Sequence, residues 1–398
     1  MLRSPDDRNL KPHSRVLTDT HRHRPKVAMT GAYSFGIEEE YFLVDAKTKS
    51  VAGAMPEGFL KAAKEATGGQ VMGEFLQSQC EVATLPHQDI RTAATELRHL
   101  RQTVAKIAAE HGLAILAAGT HPTADWGRAQ QSDGERYDQV MDDLQMIGRR
   151  NMLCGLHVHV ELPNPDDRVD VMTRMLPYLP LFIALATSSP FWRSRPTGLK
   201  GYRLAAYDEL PRTGVPELFR STEEFEAYVG ALVKSGVMAD SSYVWWSMRP
   251  SLKHPTLELR APDVPTRVED SLAIAALWRS LARRLVYNPE LNGNIDAVGR
   301  AIVVENKWRA QRYGVRGTLI GNGGPIAIAD LVDQVVEETS IDAEELGCLA
   351  ELQHCRAIAG SGTSADAQMT LYEKVDKAEG GVRALRAVTD WLAATTVQ

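Results

Sequence analysis

Apolar residues recur at every second position in several short runs of this chain and at every third or fourth position in longer ones. The first pattern predicts strands buried on one face, the second amphipathic helices. Strands are expected over 34–44, 70–84, 113–118, 154–161, 243–248 and 256–261, most of them bounded by turn formers. One helix is expected over 87–111, where Leu97, Leu100, Val104 and Ile107 fall on one side. Another is expected over 267–288, where Ile274, Leu277, Trp278, Leu281 and Leu285 do the same. Residues 188–216 keep no sustained period and are rich in Pro, Gly, Arg and aromatics, which predicts a long loop of the kind that carries function. Past Gly321-Asn322-Gly323-Gly324 helical spacing returns over 330–338, 342–355, 365–378 and 382–393.

No Pro-, Gly- or Ser-rich linker cuts the first three hundred residues, so 33–398 reads as a single domain with a helical C-terminal part from about 325. Residues 1–32 differ. Their basic side chains outnumber the acids and little is apolar, which predicts a disordered, mildly basic tail; Met29 is a second candidate start. That tail lacks the apolar centre of a secretory signal.

Composition narrows the classes. In 398 residues, 45 Lys and Arg face 51 Asp and Glu, for a formal charge of -6. Non-specific attraction to a phosphate backbone is therefore weak, and nucleic acid is not an expected partner. The richest apolar stretch, 176–186, is short and interrupted by Pro177 and Pro180, so no membrane span is expected. Cys80, Cys154, Cys348 and Cys355 form no C-x-x-C pair, which reads as reduced thiols in a cytoplasm.

Chemistry concentrates in four of the strand-like runs. In Phe35-Gly36-Ile37-Glu38-Glu39-Glu40-Tyr41-Phe42-Leu43-Val44, alternation puts Glu38 and Glu40 on one face and Glu39 on the other, beside Ile37 and Tyr41. Two carboxylates on one face repel unless water, protons or cations relieve them, and hard oxygen donors suit Mg²⁺ or Mn²⁺. In Leu156-His157-Val158-His159-Val160-Glu161 the aliphatics take one face and both histidines the other. In Leu257-Glu258-Leu259-Arg260 a carboxylate and a guanidinium share a face, able to hold a metal and a phosphate side by side or simply to pair. Glu81 interrupts a fourth run. No H-E-x-x-H, P-loop, dinucleotide fingerprint or nucleophile elbow accompanies them.

These runs resemble the carboxylate-amine ligases of the type-2 glutamate-cysteine ligase group. The likeness rests on F-G-I-E-E-E-Y-F-L-V-D at 35–45, G-T-H-P at 119–122, C-G-L-H-V-H-V at 154–160 and S-S-P-F-W at 188–192. L-E-L-R-A-P-D at 257–263 and E-N-K-W-R-A-Q-R-Y-G at 305–314 continue it. The resemblance implies an α+β fold, a glutamine-synthetase-like antiparallel sheet funnel with helices packed on its outer face. It also implies ATP as co-substrate, divalent Mg²⁺ or Mn²⁺, and amino-acid substrates such as L-glutamate and L-cysteine joined through an acyl phosphate. By position it makes Glu38, Glu40, Glu81, His157 and Glu258 metal ligands and Arg260 the catalytic cation, with His159 a secondary candidate. Arg203, Tyr202, Arg193 and His121 become substrate-binding candidates, and Arg309 a further one. The family often has Asp-Thr-Gly and a Ser before Tyr-Arg; here Pro196 and Lys200 stand at two of those places. A nucleotide or metabolite sensor without turnover and a metal-dependent hydrolase are the alternative readings, and homo-oligomerisation stays open.

Overall fold

The structure, a computed structural model, describes residues 33–321 and 323–398. The expected basic tail and Met29 lie outside the described residues. The fold is α+β. Its centre is a seven-stranded sheet made of β1 (Phe35–Asp45), β2 (Val71–Gly73), β3 (Gln79–Ala83), β4 (Leu113–Leu116), β5 (Leu156–Glu161), β6 (Met248–Pro250) and β7 (Thr256–Leu259). The strand order is β6-β7-β5-β1-β3-β2, with β4 paired to the end of β1, and every pairing is antiparallel.

Register sorts the side chains into rows. Ile37, Val158, Leu259 and Met248 stand opposite one another across four strands, all buried, and form one stripe of the apolar face. Helices α1 (Ile90–Glu110) and α2 (Val268–Tyr287) lie on that side. Leu97, Leu100, Val104 and Ile107 of α1 are buried, as their spacing predicts, and so is Arg101 among them. Burying a cation requires a partner, and Glu39 supplies it. The Glu39 carboxylate, fully buried, accepts from Arg101 Nε at 2.8 Å and Nη2 at 2.7 Å, and from Ser271 of α2. The middle acid of the triplet thus ties sheet to helices.

Several elements differ from their sequence expectation. Residues 70–84 form two strands rather than one, because the chain turns between Gly73 and Gln79. The 243–248 run divides: Trp245–Trp246 pairs in parallel with Thr213–Gly214, and only the segment from Met248 joins the main sheet. The aperiodic loop contains a hairpin, Phe191–Trp192 with Arg195–Pro196, and a short helix, Tyr202–Tyr207. Helical structure runs over Pro165–Ala186 despite Pro177 and Pro180, each of which sits in the first turn of a new helical segment where no N–H is needed. That stretch is long and apolar enough for a membrane span, but 83% of its most apolar 18 residues are buried inside the fold. Past the 318–327 hairpin, Ile328–Glu345 is one helix, followed by α3 (Leu349–Ser361), α4 (Ser364–Glu379) and α5 (Gly381–Thr396).

Candidate metal and phosphoryl-transfer site

The face of the sheet opposite α1 and α2 carries the polar rows. Glu81 stands opposite Glu40, Glu38 opposite His157, and His159 opposite Glu258, which in turn faces Arg249. Side chains directly opposed on antiparallel strands lie about 5 Å apart at Cβ, so five strands bring these groups together without a loop. His157 Nδ1 is 3.2 Å from Glu38 Oε2, His157 Nε2 is 3.7 Å from Glu40 Oε1, and His159 Nε2 is 3.4 Å from Glu38 Oε1. Glu258 is held from two sides, by Arg249 Nε at 2.8 Å and by Arg260.

Three sets of donors lie close enough to share an ion: Glu38 with Glu81 and His157, Glu38 with His159 and Glu258, and Glu40 with Glu74 and Glu81. Within each set the ligand atoms are within 4.8 Å of one another. Carboxylate oxygens with imidazole nitrogens are the donor set of a divalent cation. Among the described residues the buried Nε2 atoms of His157 and His159 meet no hydrogen-bond partner, and burial without a partner is costly, so the residues fit such an ion.

The electrostatics agree. Burial together with the charges of Glu38, Glu74 and Glu40 pushes the Glu81 carboxyl well above its ordinary value. Burial and the Glu74 charge raise Glu40, although the Gly155 N–H donates to its Oε2 at 2.5 Å. Burial works against ionising Glu38, but the hydrogen bond with His157 and the nearby His159 ring outweigh it and hold the carboxyl well below the usual range. Glu258 is likewise depressed, burial being overcome by Arg260 and Arg249. Burial and Arg260 lower His157, whereas contacts with Glu38 and Glu258 outweigh burial and raise His159. Fewer charges are kept here than carboxyls are present, and a dication would relieve that frustration.

The remaining candidates differ in their relation to this cluster, and of them Arg203 is near enough for its charge to act on Glu40. Arg203 is buried, and its Nη1 donates to the carbonyls of Arg260, Ala261 and Pro262 at 3.2–3.3 Å. Its guanidinium therefore grips the backbone that carries Arg260. His121 is fully buried, with Nε2 donating to Lys49 O at 2.9 Å and Nδ1 accepting from Thr123 N at 3.2 Å, an engaged neutral ring. Arg309 donates to Thr318 O at 2.6 Å. Arg193 sits exposed at the tip of the 191–196 hairpin, 3.9 Å from Asp125, and Tyr202 packs against Trp192 with ring centroids 5.4 Å apart. Lys200 pairs with Asp366 at 2.9 Å.

Two members of the cluster escape a reading of the sequence. Glu74 follows β2 in a turn, where no strand alternation assigns it a face. Arg249 needs the β6-β7 register to place it opposite Glu258. The only signal for either was its charge near a strand end.

Comparisons with known proteins follow the same lines. The description of glutamate-cysteine ligase family 2 matches residues 34–387. A protein of Bradyrhizobium sp. (strain ORS 278), provisionally named glutamate–cysteine ligase 2, is 57% identical over 365 residues, 92% of this chain and 88% of that one. A protein of Rhodospirillum rubrum with the same provisional name is 43% identical over 374 residues, covering 92% and 96%. Among solved structures, the glutamate–cysteine ligase from Francisella tularensis in complex with AMP gives a TM-score of 0.66 at 14% identity, covering 92% of this chain and 89% of that one. A bifunctional glutathione synthetase from Pasteurella multocida gives 0.65 at 16%, covering 92% and 53%. At such identities the two structures attest the fold. The family description spans the sheet that gathers these acids and histidines, and the curated relatives match along almost their whole length: the chain belongs to glutamate-cysteine ligase family 2.

Proposed function

We propose that this chain is an ATP-dependent carboxylate-amine ligase that joins an amino-acid carboxylate to an amine through an acyl phosphate, most simply L-glutamate to L-cysteine. The observation that carries the reading is the meeting of Glu38, Glu40, Glu81, His157 and Glu258, with His159 and Glu74, in three overlapping donor sets beside Arg260. Bound Mg²⁺ or Mn²⁺ would supply charge neutralisation and orientation of the phosphate oxygens. An adenine nucleotide is supported by the AMP complex of the Francisella tularensis ligase, which shares the fold.

The chain's own part is to hold and to neutralise. Glu38, Glu40, Glu81, His157 and Glu258 would hold the cations. A substrate carboxylate oxygen forms a bond to the γ-phosphorus as the bond to ADP breaks. The amine nitrogen then attacks the acyl carbon, phosphate leaves, and the nitrogen gives up a proton. Charge grows on the transferring group, and Arg260, a permanent cation whose buried Nε meets no partner among the described residues, would meet it. No side-chain nucleophile is needed. The four cysteines are buried, and burial pushes Cys80 up to about 12, too high for a reactive thiolate. Tyr202 and Arg193 remain the candidates for grasping an amino-acid carboxylate.

The test is release of ADP and phosphate with Mg²⁺ or Mn²⁺ when both amino acids are added. Arg260→Lys should lower turnover more than ATP affinity, because ammonium lacks the planar fork. Nucleotide binding without phosphate release across a panel of amino acids would favour a sensor, and turnover without ATP would favour a hydrolase; either contradicts the ligase.

A further inference from the structure

On the helical side of the sheet, away from the acids and histidines, lies a cavity of about 710 Å³. Its place is fixed by Asp270, which lines it and immediately precedes Ser271, the partner of Glu39 on the sheet's apolar face. Its walls come from the start of α2 and from α3, α4 and α5. The volume lies within the roughly 300–1,000 Å³ of small-molecule sites.

The charges lining it are unbalanced. The two lining acids already have partners: Asp270 bonds His354 at 2.8 Å, and Asp366 accepts from the Thr363 N–H and pairs with Lys200. Three cations do not. Among the described residues no carboxylate lies within ion-pair distance of Arg267, Arg316 or Lys374, and Arg316 makes only contacts with the carbonyls of Ala359 and Gly360. Arg267 instead lies over the Trp391 ring at 5.9 Å, leaving its N–H groups for another acceptor. His354 adds a fourth donor beside them, its charged form favoured chiefly by the hydrogen bond to Asp270. Elsewhere on this surface arginines commonly have acids, as Arg300 has Glu217 and Arg383 has Glu379.

We propose that this cavity is a second binding site, for a small organic phosphate whose anionic group is held by Arg267, Arg316 and Lys374 and whose flat apolar part lies against Trp391. Guanidinium forks suit phosphate oxygens, and an aromatic wall suits a ring. A small molecule fits better than a nucleic acid, because a chain of net charge -6 repels an extended polyanion while a local cluster of cations still attracts a compact one.

Phenyl phosphate is a suitable probe, with binding measured by equilibrium dialysis on the full chain. The double charge reversal Arg316→Glu, Lys374→Glu changes exposed side chains only and should weaken binding at least about tenfold. Arg260→Lys on the opposite face should leave it unchanged, so a failure of the ligase reading leaves this test intact. Binding that is lost in Arg260→Lys and kept in the double variant would place the probe on the acidic face and overturn the proposal. So would no binding at all, or displacement of the probe by a short DNA oligonucleotide.

Discussion

Gly155 and Arg203 occupy one space: a β-carbon on Gly155 would lie 2.2 Å from Arg203 Nη2. The same glycine donates its N–H to Glu40, and the same arginine grips the carbonyl of Arg260. One contact thus supports a metal-ligand candidate on one side and, on the other, the arginine proposed to face phosphate. Gly155→Ala should displace the guanidinium and cost about 1–3 kcal/mol as overpacking does, read as a lower urea midpoint. Arg203→Lys should lower kcat with little change in the KM of either amino acid, because the residue positions Arg260 through backbone. A rise in KM at constant kcat would instead mark Arg203 as a substrate clamp.

Glu38 and Glu39 are neighbours with opposite expected behaviour. Glu39→Gln leaves the buried Arg101 without its counter-charge and should destabilise the fold by about 3–5 kcal/mol. Glu38→Gln gives up a carboxylate that His157 and His159 favour, so it should cost some stability but less than Glu39→Gln, while abolishing cation-dependent ATP use. Denaturation curves and ADP assays on the two variants separate them. Similar stability losses in both would contradict the assignment of the two faces.

His121 gives a pH signature. Burial lowers its pKa to about 4, against an ordinary value of 6.5, so the fold favours the neutral ring. The stability tied to that neutral ring is complete above pH 6.5 and is lost as the pH falls toward 4, at up to about 1.4 kcal/mol per unit. His121→Gln, which keeps a donor for Lys49 O, should flatten the fall in urea midpoint between pH 6.5 and 4. An unchanged slope would show that the ring titrates normally.

How much of this was legible in the sequence depends on whether a residue's role is local. The alternation that separates Glu38 and Glu40 from Glu39, and His157 and His159 from Val158, is a property of one strand, and the structure shows those faces. Leu97, Leu100 and Val104 mark the buried side of α1 for the same reason. Arg249 and Glu74 reach the cluster through pairing between strands distant in sequence, which periodicity cannot express. Arg203 reads in the sequence as a substrate-binding candidate on an aperiodic loop, and its burial against the carbonyls of residues 260–262 depends on packing that a chain of letters does not reveal. Pro177 and Pro180 read as breaks because their places in the first turns of successive segments emerge only from packing.

Cation dependence of stability bears on the same face. Mg²⁺ or Mn²⁺ binding to the folded state alone should raise the melting temperature in proportion to the logarithm of its concentration once sites fill. In Glu81→Gln, which replaces a carboxyl already pushed toward its protonated form, the metal-free protein should melt close to the parent while the cation-induced rise shrinks. A full rise in that variant would exclude Glu81 from the ligand set.

The most direct test of the central claim is a Mn²⁺ titration followed by electron paramagnetic resonance, counting ions bound per chain in the parent and in Glu38→Gln. Because Glu38 belongs to two of the three donor sets, the parent should bind more than one ion per chain and the variant fewer, with weaker affinity for those that remain. Absence of bound Mn²⁺ in the parent, or identical titrations of the two proteins, would contradict the account.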